Sequence, residues 1–225
     1  MKRKMLSQES LKLIACVTML IDHIGAVFVP GYSLRIIGRI AFPIYCFLLA
    51  EGVVHTRDRW KYGIRLLIGM ILAEIPFDLL FFGKLTWAHQ SVMVTLFLGF
   101  LMLEWKVKRS RKWLPICICF FAAEILGTDY GGWGILLIAL LASTEDKRHG
   151  TWLRILGMAV IFGSMNSFRV PFLGLQIPLQ MFGVLAMIPI GLYSGEKRSN
   201  SRAVQLAFYA FYPVHLLILW LIAGR

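Results

Sequence analysis

The sequence is short of charge: only 16% of its 225 residues are Asp, Glu, Lys or Arg, against about 25% in a soluble globular domain. Acidic residues are the scarcest of these, 12 against 24 Lys and Arg, which leaves a formal net charge of +12. Cysteine is also scarce. Cys16, Cys46, Cys117 and Cys119 lie within apolar runs without C-x-x-C spacing, so they read as packing residues rather than disulfide partners or metal ligands. No phosphate-binding G-x-x-x-x-G-K-[ST], nucleophile-elbow G-x-S-x-G or zinc-binding H-E-x-x-H occurs, so ATP-driven work and zinc proteolysis have no support. The connections (106–112, 143–151, 166–175, 194–202) are short, with no soluble domain, linker or clear internal repeat.

What fills the chain is apolar. Hydrophobic residues make up 58% of it, and the mean hydropathy is +0.71. That excludes a disordered chain, a nucleic-acid-binding domain and a water-soluble enzyme. The reading is an all-α integral membrane bundle, a single domain over 1–225, multi-pass in the plasma or inner membrane and surrounded by its lipids. A spanning helix needs about 20 mainly apolar residues. Nine apolar segments are read as approximate spans: 11–30, 34–54, 62–82, 90–105, 113–127, 131–142, 152–165, 176–193 and 203–223. Segments 113–127 and 131–142 are short, and read either as thin tilted spans or as one re-entrant pair, which would leave seven full spans.

Charge placement gives the orientation. With the N-terminus inside, the cytoplasmic segments hold Lys2, Arg3, Lys4 and Lys12, then Arg57, Arg59 and Lys61. Lys106, Lys108, Arg109, Arg111 and Lys112 follow, then Lys147 and Arg148, and last Lys197, Arg198 and Arg202. Those 17 stand against Lys84, Arg169 and Arg225 on the other side, an imbalance that membrane insertion favours. Segment 11–30 has a basic start, but it carries Asp22 and His23, lacks an A-x-A site and is followed by further spans. It reads as a mature helix rather than a cleaved signal.

Ionisable groups inside spans cost about 2.5–3.5 kcal/mol each on insertion scales, so each is a site candidate with an expected partner. At about 1.5 Å rise per residue, His23, Arg39, Glu74, Asp78, Glu124 and His215 lie about 5–12 Å below the outer ends of five segments, in one layer. Arg35 and Arg39 are i,i+4 on one helical face, and so are Glu74 and Asp78. Two readings stand for these four. One is a zipper from Arg39 to Asp78 or Glu74, and the other is an anion clamp made by the arginines. His23 and His215 suit proton transfer. Asp22 points about 100° away from its neighbour His23, so a carboxylate from another helix is the expected orienter of that ring. His55, His89 and His149 fall in loops or at boundaries.

The residues Leu11 to Gly25, with Asp22-His23 near their end, resemble the opening of the TraX family, named for the conjugative F-pilin N-acetylase. The similarity continues through Arg35, through Gly38-Arg39-Ile40-Ala41-Phe42-Pro43 to Glu51-Gly52, and through Arg65-Leu66-Leu67. Glu74-Ile75-Pro76-Phe77-Asp78, the stretch from Gln90 to Gly99, Asp129-Tyr130-Gly131 and Phe208 to His215 carry it to the end of the chain. The resemblance implies an acyltransferase that moves acetyl from acetyl-CoA, without a metal, to an amine or hydroxyl of a peptide, pilin-like or glycan acceptor. By that analogy His23 is the base, and Arg35 and Arg39 contact the cofactor or acyl carbonyl; the expected mechanism is direct transfer, with Glu74, Asp78 or Glu124 orienting His23. Glu124, His215, Tyr212 and Asp22 are then the further binding residues. The rival classes are a proton-coupled transporter and a non-enzymatic scaffold of a secretion or conjugation apparatus.

Overall fold

The computed structural model describes residues 5–108, 113–143, 149–172, 174–197 and 201–224. Lys2, Arg3, Lys4, Arg109, Arg111, Lys112, Lys147, Arg148, Arg198 and Arg225, all used in the charge count, lie outside the described residues. The chain is mostly helical and divides into two compact units, 1–48 with 143–208, and 49–142 with 209–225.

The first unit opens with α1 (Gln8–Val27). Ser7 caps it, its hydroxyl accepting the Ser10 N–H at 3.3 Å, and Glu9 in the first turn favours the positive helix end. Ahead of α1, the backbone of residues 5–8 pairs with residues 192–196. The N–H groups of Met5 and Leu6 donate to Leu192 O at 3.0 and 3.1 Å, and Ser194 N–H donates to Leu6 O at 2.8 Å. Next come α2 (Ser33–Gly38) and α3 (Ala41–His55), separated by a tight turn at Arg39-Ile40. Gly38 lets α2 approach α1, because a side-chain carbon at 38 would overlap Asp22. The later half of the unit holds α8 (His149–Ser164), a hairpin of β1 (Arg169–Phe172) and β2 (Leu175–Pro178), a 3-10 helix (Leu179–Ala186) and α9 (Met187–Gly191). Phe162 of α8 is fully buried and stands against Gly183.

The second unit holds α4 (Arg59–Phe82), α5 (Val92–Lys108), α6 (Leu114–Ile125), α7 (Gly131–Ser143) and most of α10 (Arg202–Ala223). Asp58 caps α4 by accepting the Lys61 N–H at 3.0 Å. Gly83 ends that helix in the left-handed region (φ +67°), which only glycine adopts at little cost. Its N–H closes onto Leu79 O, turning the chain into the loop 83–91. Bulky side chains fill the space over glycines, Phe100 over Gly63 and Ile138 over Gly99.

Among the described residues, three helical segments are long and apolar enough to cross a membrane: Gln8–Val27, Ser33–His55 and Ala203–Ala223. The expected segments 90–105, 113–127, 131–142 and 152–165 appear as shorter apolar helices, and 62–82, within α4, is not among the candidate spans. Segment 176–193 differs from expectation: it is a strand, a 3-10 helix and a five-residue helix rather than one regular helix. Pro178 and Pro189 each remove a backbone donor there, and together with Gly183 and Gly191 they interrupt the run.

Candidate functional site

The candidate residues fall into two polar clusters, one in each unit. In the first unit, α1 supplies Asp22, α2 supplies Arg35, and the turn after α2 supplies Arg39. Arg39 Nη2 forms an ion pair with Asp22 Oδ2, and Arg35 Nε stands 3.7 Å from Asp22 Oδ1. Arg39 Nε also donates to Arg35 O at 3.2 Å, which ties the two arginines together along the turn. Asp22 and Arg39 are 7% and 6% exposed, whereas the Arg35 side chain keeps 30% of its surface. Two guanidinium groups thus share one carboxylate, and the three side chains together carry one net positive charge. Burial strengthens that field, because the local dielectric is low. His23, half-buried, follows Asp22 on α1.

One ion partner of Arg39 is Asp22, from its own unit; the zipper reading names Glu74 or Asp78. Sequence neighbours on a helix diverge, so Asp22 turns away from His23, and that same geometry frees it to meet the arginines across the α1–α2 contact. Gly38, between the two arginines, is what admits the carboxylate.

In the second unit, Glu74 and Asp78 of α4 receive the loop that follows Gly83. Asp78 Oδ2 accepts the Thr86 N–H at 2.7 Å. Both Glu74 oxygens accept the Ser91 N–H at 3.2 Å, and Glu74 Oε1 also accepts the Ser91 hydroxyl proton. Ser91 Oγ in turn accepts the Met93 N–H at 3.3 Å, so Ser91 is the cap of α5. The Tyr212 hydroxyl of α10 reaches the Ser91 side chain.

The rest of this cluster rings the turn between α6 and α7. Gln90 N–H donates to Gly127 O at 3.0 Å, and Asp129 N–H donates to Gln90 O at 2.9 Å, zipping loop 83–91 to residues 127–129. His89 stands 3.6 Å from Asp129 and stacks on Phe77, with ring centroids 6.2 Å apart. The Asp129 carboxylate beside the ring is the main cause holding the His89 pKa above its ordinary value. Glu124 Oε1 accepts the Gly132 N–H at 2.7 Å, a cap for the start of α7. His215 is buried, with Nδ1 2.7 Å from Phe211 O and its ring stacked on Phe211.

Among the described residues, no group of three or more His, Cys, Asp or Glu could hold a metal ion. All four cysteines are free thiols, and Cys16 Sγ lies 3.2 Å from the Tyr45 hydroxyl. The structure thus brings together Asp22, Arg35 and Arg39 in one unit, and Glu74 and Tyr212 in the other. Ser91 and His89 join the second cluster without standing out in the sequence. A serine directly before an apolar helical run is a capping signal, but only the folded loop reveals that its hydroxyl proton goes to a carboxylate.

The family model described as TraX protein matches residues 7–223. The probable fimbrial assembly protein FimC, serogroup H1, of Dichelobacter nodosus is 29% identical over 231 residues, covering 95% of this chain and 94% of the relative. Protein TraX of Escherichia coli is 25% identical over 233 residues, covering 96% of this chain and 87% of the relative. A third relative, RP591 of Rickettsia prowazekii (strain Madrid E), is 29% identical over 182 residues, 78% of this chain and 69% of its own length. No solved structure matches.

Proposed function

The chain belongs to the TraX family, and from that membership we propose that it is a membrane-embedded acetyltransferase. It takes acetyl from acetyl-CoA and places it on an amine or hydroxyl of a peptide, pilin-like or cell-surface acceptor. In this reading the protein is a single functional domain over 1–225, with about nine spans in the plasma or inner membrane and its N-terminus in the cytoplasm. The name of the Dichelobacter relative favours a fimbrial or pilus subunit as acceptor.

One observation carries the proposal: two guanidinium groups share a single buried carboxylate, one residue before a half-buried histidine. Acyl transfer needs a base for the attacking group and a fixed positive charge for the oxyanion that develops on the carbonyl. His23 takes the proton from the acceptor as it attacks. Arg35, the looser and more exposed of the two arginines, faces the developing oxyanion, while Arg39 and Asp22 hold the pair in place. A preorganised donor is worth a factor of about 100–1,000 in such reactions.

The test is transfer of labelled acetyl from acetyl-CoA by purified protein, together with mass spectrometry of surface peptides and glycans from cells with and without it. His23→Ala lowers transfer at least about 100-fold. Labelling unaffected by His23→Ala rejects the base assignment. A chain that supports fimbrial assembly but transfers no label at all is a scaffold instead.

A further inference from the structure

The buried hydroxyl of Ser91 has more than a cap's chemistry. An N-cap serine needs only to accept a backbone N–H, as Ser91 does from Met93. Here the hydroxyl proton is also directed onto Glu74, and the same carboxylate is held square to the serine by the Ser91 N–H on both its oxygens. A second hydroxyl, that of Tyr212, reaches the same side chain. Ser91 is 0% exposed and Tyr212 is 5% exposed, so little water competes for these bonds. A hydroxyl hydrogen-bonded to a fixed carboxylate is the arrangement of an activated nucleophile. The serine closes the loop 83–91, whose residues 83–88 are exposed or half-exposed, and acylation of the buried hydroxyl requires local opening of this loop.

Resting on the acetyltransferase reading above, but replacing its direct transfer at His23 with a covalent route, we propose that Ser91 carries the acyl group as an ester between donor and acceptor, with Glu74 as its base. In the first half-reaction Ser91 Oγ bonds to the carbonyl carbon of the thioester. Its proton goes to Glu74, the C–S bond breaks, and the leaving thiolate takes the proton from Glu74. In the second, the acceptor amine or hydroxyl bonds to the same carbon. The ester C–O bond breaks, and Ser91 Oγ regains a proton taken from the acceptor. The Tyr212 hydroxyl donates to Ser91 Oγ as the ester forms and cleaves. One displacement at the thioester is thereby replaced by two, and acyl transfer becomes ping-pong.

The full-length protein is incubated with labelled acetyl-CoA without acceptor, denatured and digested. The expected result is about one label per chain, on the peptide bearing Ser91, released by alkaline hydroxylamine. Ser91→Ala holds no label. Ser91→Cys holds it as a thioester, released by hydroxylamine already at neutral pH. Glu74→Gln keeps an oxygen for the Ser91 bonds but cannot take the proton, so labelling slows about 100-fold while thermal stability stays near wild type. Transfer to a synthetic peptide amine with sequential kinetics and no label on Ser91 overturns the ester but leaves the acetyltransferase reading standing. So does a Ser91→Ala protein that folds and transfers at the wild-type rate. Absence of both label and transfer in the wild-type protein overturns the two together.

Discussion

The two units use the same i,i+4 spacing of like charges to opposite ends. In the first, Arg35 and Arg39 converge on one carboxylate, Asp22, brought from the preceding helix. In the second, Glu74 and Asp78 diverge, each accepting N–H or O–H donors from a loop that folds back over the end of α4. A pair of like charges one helical turn apart therefore does not define a site. What decides is whether the neighbouring backbone can come close, as at Gly38, or turns back, as at Gly83. The first arrangement concentrates charge. The second satisfies it with neutral donors from the loop that folds back over the helix.

Removing one carboxylate from each unit sharpens that contrast most. Asp22→Ala takes the shared carboxylate from two guanidinium groups and destabilises the protein by about 3–5 kcal/mol. Asp78→Ala removes a charge-assisted bond to one backbone N–H and costs about 1.5–3 kcal/mol. Thermal unfolding of the detergent-solubilised protein measures both, and an equal loss in the two variants breaks the distinction. Glu124→Ala removes the acceptor for Gly132 N–H at the start of α7 and costs about 1 kcal/mol by the same measurement.

The smallest effect concerns His89. Its folded-state pKa is raised by Asp129, so its stabilising contribution is fully present below the ordinary value of about 6.5 and is lost as pH rises through the raised one. The ring and its partner are well exposed, so solvent screens most of the attraction. Amide exchange in loop 83–91, corrected for intrinsic rates, is expected to be slower at acidic than at alkaline pH, and His89→Gln flattens that dependence.

Much of this is legible in the sequence. The long apolar runs place α1, the Ser33–His55 segment and α10 within a few residues, because backbone satisfaction in lipid demands helices. The arginines and acids inside those runs identify groups that need partners, and Asp22, Arg35 and Arg39 find theirs in one another. Which partner each takes is not legible. Helical geometry separates Asp22 from its neighbour His23, but it does not reveal that a glycine brings α2 close enough to supply two arginines. Ser91 carries no charge and gives only a capping signal, since its bond to Glu74 depends on a loop returning to a helix 17 residues earlier in the chain. The hairpin and 3-10 stretch from 169 to 186 escape because total hydrophobicity does not register where proline and glycine interrupt the ladder.

The backbone pairing of residues 5–8 with 192–196 has a consequence for biosynthesis. Leu6 and Ser194 are 188 positions apart, so a growing polypeptide emerging from the ribosome has no second strand for residues 5–8 until most of the chain has been translated. The first helix must form with that segment unclasped. Release of a nascent chain before residue 192 would leave the segment without the backbone partners that its finished form has.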